Sequence, residues 1–591
     1  MKKYLAFLTK WYALIVVAGA FVFSWATIVS RRVEETPPNT MVIRIGHWQL
    51  EPGVRDGINI MAEKYVKEHW ERYGSKPVEG HPRPEWAGKR VKIIQDPIPE
   101  STYGQWMSAN LMGGTAPDII ECAMGVPGHV LIGYYSRYFY PFTPYVSLPN
   151  PYNADNVFSN TPWRATFKDG MRGNYVEELQ EYMTVPLSQF GMAVFYNKDL
   201  LYKLTGLTEP PRNWQEFKAA CKLIASQRMP NGQFYIPIAA SMYHYGAWDW
   251  MMADALSYGV VRQVDYSRDG WVDNLELYTA IKEGRVNFQS PPYAAKYGLL
   301  GDLMQFFQPG FTGLGRDEGV FLFIQQRAVF MTTGTWDQGA LREQSDGIFN
   351  LGIMKFPRPT KDDPDYGHVV EGPTYERPGS GFPFGIVRTS KHPDLARDFL
   401  HYLSSKEVNE EFNQIIGWIP AVLNTKLTED LKEFEPNLKG VYGGAQFTLG
   451  GDTVTKWEQL LSLFRVGKIT FRDMMEQFEV VYKKKGEEEF KEMVRNNRRG
   501  IPGEERGVAL LRARMVNARQ TDAPTEVADL EEARYRRMLL SRIMSRGLHH
   551  GMLLRVQEGK SPFAGGEPYA MSEEAKQAVR ERIAREMKEQ N

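Results

Sequence analysis

Three stretches of this chain, far apart in sequence, each join a β-type apolar run to a helix signal through Gly, Pro or Asn. They are residues 111–121 (LMGGTAPDIIE), 194–217 (VFYNKDLLYKLTGLTEPPRNWQEF) and 321–336 (FLFIQQRAVFMTTGTW). Such junctions place residues at the edge of a sheet, where α/β proteins bind ligands. Their separation calls for a cleft assembled from distant segments rather than from one local motif. At 591 residues the chain also exceeds one ordinary hydrophobic core, so two or more lobes are expected.

The charge balance narrows the partners. Lys+Arg and Asp+Glu both total 71, so nothing global recommends nucleic acid or an anionic surface. Fourteen Trp and 30 Tyr fit large cores and equally fit an aromatic-lined ligand site. Cys122 and Cys221 are the only cysteines. Two thiols make neither a disulfide framework nor a Cys-rich metal site, and both are expected to be buried and unpaired.

The amino terminus carries Lys2, Lys3 and Lys10, then an uncharged run over 11–29, then Arg31-Arg32. That run approaches the ~20 residues that span a bilayer. Ala18-Gly19-Ala20 falls inside it and no convincing cleavage site follows, so an uncleaved anchor is favoured over a removable signal peptide. Residues 34–40 (EETPPNT) read as a linker, and everything downstream is too polar to span again. The remainder is expected outside the cytoplasmic membrane.

Residues 41–45 (MVIRI) alternate as a strand that exits into Gly46-His47-Trp48-Gln49, and a helix pattern follows through Ile58, Met61, Ala62, Tyr65 and Val66 to near Trp70. A second strand (91–94) and a second helix (103–112) end at Gly113-Gly114, and Asp118-Ile119-Ile120 starts a third strand. This alternation predicts a largely parallel sheet. Residues 185–196 read as one strand, with Asn197 capping the next helix and Asn213 with Glu216 opening another. Helices are expected over 248–257, 275–283, 297–307, 393–403 and 467–483, the last with Thr470 and Asp473 as a capping pair, and strands over 329–332 and 385–387.

Placed in order, these residues resemble the extracellular solute-binding proteins of family 1, the sugar-type receptors of ABC importers. Gly114, Pro117 and Asp118 match the family's Gly-x-x-Pro-Asp elbow. Residues 196–199 (YNKD), Gly206, and Asn213-Trp214 with Glu216 match its hinge strand and the helix start beyond it. Phe323, Ala328, Gly334 and Trp336 match the run from Phe through Ala to Gly-x-Trp, and Pro393, Ala396, Phe399, Leu400, Gly417 and Pro420 match the last helix and turn. Singly these are weak signals; together they cover 41 to roughly 500. The loop over 70–90 looks inserted, no lipidated Cys follows the anchor, and the tail beyond Gly500 has no family counterpart.

The resemblance implies an α/β, two-lobed periplasmic-binding-protein fold (type II, maltose-binding-like), preceded by a transmembrane or signal segment and followed by a helical C-terminal extension. Its map is 1–40 anchor and linker, 41–187 plus 333–382 first lobe, 188–332 plus 383–500 second lobe, and 501–591 extension. It implies an extracytoplasmic receptor that closes over a carbohydrate between hinged lobes and delivers it to an ABC permease, with no cofactor and no nucleic-acid partner. Sugars offer apolar C–H faces ringed by hydroxyls, so platforms and hydrogen-bonding groups are sought near strand ends and lobe crossings. The candidates are Trp48, Gln189, Trp248, Asp249, Trp336, Asp337 and Gly381. Each Trp also has the ordinary reading of core packing.

Catalysis finds little support. Asp118 with Glu121 and Asp317 with Glu318 are pairs of a kind common on solvated surfaces, and Asp118 suits a backbone cap. The ten His show no metal-ligand spacing, residues 313–319 (GLGRDEG) miss both phosphate-loop spacings, and no nucleophile motif stands out. A ligand-sensing subunit of a signalling complex is the second reading, with the tail as contact surface; a carbohydrate-active enzyme is the third. The tail from Thr521 mixes Leu530, Tyr535, Met538, Leu539 and Ile543 with Arg534, Arg536, Arg537, Arg542 and Arg546, which suits an anionic membrane face, a partner, or a solvated helix on the second lobe.

Overall fold

The computed structural model describes residues 39–541, except 51, 75–82, 123–125, 266–271, 377–378, 438, 445–446, 522–525, 529, 532, 536 and 539–540, and beyond them only Gly19, Val22, Gly559, Gln577 and Glu581. In chain order the main elements are β1 (Thr40–His47), α1 (Pro52–Tyr73), β2 (Arg90–Pro97), α2 (Glu100–Gly113), β3 (Ile119–Glu121), β4 (Val185–Phe190) and β5 (Met192–Asn197). There follow α3 (Lys198–Thr205), α4 (Trp214–Ser226), β6 (Ile236–Ala239), α5 (Met242–Trp248), α6 (Asn274–Lys282) and α7 (Pro291–Met304). The chain then forms β7 (Ala328–Gly334), α8 (Thr335–Ser345), β8 (Leu351–Met354), β9 (Gly379–Ile386), α9 (Pro393–Leu403), α10 (Lys406–Ile416), β10 (Ile419–Pro420), α11 (Gly451–Arg465) and α12 (Phe471–Gln520).

These elements form two compact units. The first comprises Met1–Ala193, Thr333–Phe349 and Pro378–Pro436; the second comprises Val194–Thr332, Asn350–Arg377 and Asn437–Asn591. The first is built on a six-stranded sheet in the order β10-β4-β9-β3-β1-β2. Alternation in β1 buries Met41, Ile43 and Ile45, and the three-and-four spacing of Val54, Ile58, Met61 and Tyr65 turns one stripe of α1 into the same core. Leu395, Phe399, Leu400 and Leu403 of α9 join that cluster. Gly46 is required where α2 crosses the strand, since a Cβ there would stand 2.5 Å from the Trp106 ring.

Buried asparagines tie α10 to the sheet. Asn409 Nδ2 donates to the carbonyls of Leu187 (2.8 Å) and Leu403 (3.1 Å), while its Oδ1 accepts from the amides of Ala421 (3.0 Å) and Val422 (3.3 Å). Asn413 also donates to Leu187 O (2.9 Å), and its Oδ1 accepts from Ser188 Oγ (2.6 Å). Both side chains are fully buried, so each bond meets a backbone or hydroxyl group that water cannot reach.

The second unit holds a four-stranded sheet in the order β8-β5-β7-β6. All seven residues of β7 are buried. Trp214, Phe217 and Trp248 fill the space over it, with the Phe217 ring 4.8 Å from Phe330. The 50-residue helix α12 opens with a capping box between Thr470 and Asp473 and buries Met474, Met475, Phe478, Tyr482 and Phe490. Phe490 stacks on Tyr278 of α6 at 4.2 Å.

Several expectations change. The first sheet is mixed: β1 pairs parallel with β2 and β3, whereas β9 pairs antiparallel with β3 and β4, and β10 antiparallel with β4. Residues 185–196 form two strands broken at Gly191, where a Cβ would lie 2.7 Å from the Phe434 carbonyl. The first helix continues past Trp70 to Tyr73. The segment 248–257 is a π-helical turn (Asp249–Ala253) followed by a 3-10 turn (Asp254–Ser257). Residues 383–436, read as second lobe, group with the first unit because β9 and β10 are strands of its sheet; residues 350–377, read as first lobe, group with the second through β8. No break falls at Gly500, since α12 runs through it with Pro502 inside.

Both cysteines are free and buried, Cys122 in the first unit and Cys221 in the second. Among the described residues no helix is long and apolar enough to cross a membrane. Apart from Gly19 and Val22, the run over 11–29 lies outside them.

Two tests follow from this packing. Replacing Asn409→Leu strands the Ala421 and Val422 amides and the Leu403 carbonyl, and should lower unfolding free energy by about 3 kcal/mol in urea titrations. Burial also pushes His69 down to about 4 and His401 down to about 3. Between pH ~6.5 and those values the unfolded chain binds protons that the native chain refuses, so stability is complete above ~6.5 and falls as pH drops through that window. His69 sits among Tyr65, Tyr73 and Trp86 with Nε2 unpartnered. In His69→Phe the loss of stability between pH 7 and 5 should shrink, with a slope smaller by up to about 1.4 kcal/mol per pH unit.

Candidate functional site

The register of the first sheet brings separate segments to one end. β1, β2 and β3 run parallel and finish there at His47, Pro97 and Glu121. β9 opposes β3 with Phe384 across from Glu121, so β9 begins at this end with Gly379, Ser380 and Gly381. β4 opposes β9, so it finishes here with Gln189 and Phe190, and Ile419 of β10 lies across from Gln189. Trp48, Gln189 and Gly381 therefore lie toward one end of the sheet, with β4 and β9 continuing five residues past the level of His47 and Glu121, although more than 300 residues of chain lie between the first and the last. The carboxyl ends of parallel strands are the usual site of ligand binding in open α/β sheets.

Glu121 organises the β1 side of this rim. It is fully buried, and its Oε2 accepts from the Trp48 amide (3.3 Å) while Oε1 accepts from Gln49 Nε2 (3.0 Å). Its carbonyl accepts from the Tyr103 hydroxyl (2.8 Å), whose ring meets the Trp48 indole edge-on at 5.3 Å. The half-buried Trp48 is thus held from both its backbone and its ring. His47, just before it, donates through Nε2 to Gln95 Oε1 at 2.9 Å, and burial pushes its pKa down to about 4, which keeps the ring neutral.

Trp336 occupies the β4 side. Its half-buried indole stands edge-on to Phe190 at 5.8 Å, and the Thr335 amide donates to the Gly191 carbonyl at 3.0 Å. Two glycines make room for this arrangement. A Cβ at Gly334 would meet the Trp336 ring at 2.2 Å, and one at Gly379 would meet the Phe190 ring at 2.1 Å. The Gly-x-Trp spacing is therefore a packing requirement. Asp337 is buried and accepts from the Thr333 hydroxyl, which ties it to the entry of α8.

The remaining candidates belong to the second unit. Trp248 is fully buried between Phe217 (5.6 Å) and Phe356 (5.2 Å), a core position that leaves no face for stacking on a sugar. Asp249 pairs with Lys296 at 3.1 Å, and Asp254 pairs with the same ammonium at 2.6 Å. Burial opposes the Lys296 charge, but the two carboxylates outweigh it and hold its pKa well above the usual lysine range. Asp249 is thus engaged in stapling the π-helical turn to α7.

The two acidic pairs sit in different surroundings. Asp118 accepts from the Arg44 amide (2.9 Å) and the Ser390 hydroxyl (2.5 Å), a backbone-bracing role, while Glu121 is used as described. Asp317 and Glu318 are exposed in the first turn of a helix. Among the described residues no group of three His, Cys, Asp or Glu is placed to hold a metal ion. Sequence reasoning missed the positioning role of Glu121 and the seat supplied by Phe190. The only available signals were the adjacency of Glu121 to a strand end and the glycines at 334 and 379.

A family model described as "Bacterial extracellular solute-binding protein" matches residues 85–410. Relatives include chains of Brucella abortus (strain 2308) and Brucella suis biovar 1 (strain 1330) whose names mark them as candidate binding proteins; each is 25% identical over 295 residues, 45% of this chain. This chain spans 62% of the length of those relatives. Similar solved structures include one from work on xylan utilization by Caldanaerobius polysaccharolyticus (17% identity, 74% of this chain and 99% of that one, TM-score 0.48) and apo RafE of Streptococcus pneumoniae (16%, 75% and 98%, 0.47). The GacH receptor of Streptomyces glaucescens is similar at 16% identity, over 76% of this chain and 98% of that one, with a TM-score of 0.46.

Proposed function

Because the chain belongs to the bacterial extracellular solute-binding proteins, we propose that it captures a carbohydrate on the strand-end rim of its first unit and hands it to an ABC permease. The observation that carries this reading is the half-buried Trp336 seated edge-on against Phe190, on the same rim as the braced Trp48. An indole offers a flat apolar face to the C–H face of a sugar, and a rigid seat means that little side-chain entropy is lost on binding. β4 and β1 stand three strand steps apart in the sheet, roughly 14 Å at ~4.8 Å per step. The Phe190 seat also lies further along the strands than Trp48, so platforms at least that far apart suit an oligosaccharide better than a single ring. Gln189, on β4 beside Phe190, and Gly381, across from Ser188 on the neighbouring β9, offer an amide side chain and an open backbone to hydroxyls on the β4 side.

Affinity in the micromolar range requires about 8 kcal/mol, within reach of two stacking platforms and several hydrogen bonds. The uncharged run over 11–29, flanked by Lys10 and by Arg31-Arg32, supports a receptor tethered to the outer face of the cytoplasmic membrane.

Calorimetry and thermal shift over mono- and oligosaccharides test the proposal. A sugar at about a hundred times its Kd should add about 2.7 kcal/mol of stability. Trp336→Ala should weaken that sugar by about tenfold or more, and Trp48→Ala by a smaller factor. Stabilisation by another solute class, with none by any sugar, would overturn the carbohydrate assignment.

A further inference from the structure

A cleft of about 780 Å³ lies wholly within the second unit, between the end of α7 and the turn that joins α11 to α12. Its volume falls in the range of small-molecule sites, roughly 300–1,000 Å³. The walls are aromatic. Tyr297 lies parallel to Phe471 at 5.2 Å and edge-on to Phe464 at 5.9 Å, and Phe307 meets Phe311 edge-on at 5.0 Å. None of these residues belongs to the strand-end rim.

The charged groups at the cleft are unequal. The carboxylate of Asp302 is satisfied, with Lys218 Nζ at 2.7 Å and the Tyr366 hydroxyl at 3.1 Å. Arg465 lacks a charged partner. Its guanidinium meets the neutral Tyr245, with the ring at 4.8 Å and a side-chain hydrogen bond to the phenol, its Nε is buried without a hydrogen-bond partner, and it pairs with no carboxylate among the described residues. A guanidinium held in an aromatic cleft without a carboxylate gains most from a charged acceptor. The cleft therefore combines flat apolar walls with one uncompensated cation.

We propose that this cleft is a second ligand site, distinct from the sugar rim, for a flat apolar anion of the arene-carboxylate class. The ring would lie against the aromatic walls, and the carboxylate would accept from the Arg465 guanidinium, whose planar fork matches two oxygens. A neutral arene would gain the walls but leave the cation unpaired. The preference for acid over amide is thus the signature of the site, whatever the response to sugars.

Titration calorimetry of the full chain with 2-naphthoate and with 2-naphthamide reads that signature. The acid should bind below millimolar and the amide about tenfold or more weakly. Arg465→Gln should erase the preference, and Arg465→Lys should retain part of it. Gly301 lines the cleft from α7, and a Cβ there meets Phe464 only at 3.8 Å, so Gly301→Met enters open space and should abolish binding of both probes while circular dichroism stays unchanged. Equal binding of acid and amide to the unaltered chain, absence of binding, or a preference that survives Arg465→Gln would each overturn the proposal.

Discussion

The first unit depends on the insertion of β9 between β3 and β4. This strand, drawn from residues 379–386, pairs antiparallel with both neighbours and joins the early β1-β2-β3 ladder to the β4-β10 pair. Without it the sheet would be two fragments with exposed edges. Its direction also decides the chemistry of the rim, since an antiparallel strand starts where parallel strands finish. That brings Phe384 across from Glu121 and Gly379 and Gly381 across from Phe190 and Ser188, and the missing side chain at Gly379 lets the Phe190 ring lie where Trp336 can rest on it.

Polar bracing then holds what hydrophobic burial assembles. Burial of the α1, α9 and sheet side chains is non-directional and would tolerate small slips of one layer over another. The amides of Asn409 and Asn413 do not, because each must meet particular carbonyls and N–H groups of β4 and of the segment beyond β10. Glu121 acts in the same way at the rim. Its two oxygens accept from the Trp48 amide and the Gln49 side chain, so a residue that resembles half of an acid/base pair serves to fix the backbone at Trp48.

Local signals were legible to the extent that their physics is local. Asn197, Asn213 and Thr470 cap the helices they were expected to cap, because an N-cap needs only its own side chain and an amide three residues on. Gly114 ends α2 with a positive φ for the same reason. Helix 393–403 has the expected bounds, given by Pro at its start and a strong apolar stripe. The candidate site was legible only in part. Trp336 emerged from a Gly-x-Trp spacing that packing demands, yet nothing near Trp248 signalled that Phe217 and Phe356 would enclose it. The break at Gly191 was equally hidden, since the atom that requires it is the carbonyl of Phe434.

The sequence by itself determined the class of elements, their caps, the pairing of strand with helix along each lobe, and the ordered set of motifs that points to the family. Those features are written in side-chain period and turn chemistry over a few residues. Tertiary structure alone decided which strands share a sheet, in which direction β9 runs, where the chain divides between the units, and which aromatic residues keep an exposed face. Each of those outcomes is set by contacts between residues tens to hundreds of positions apart, whose energies exist only once the chain has closed on itself.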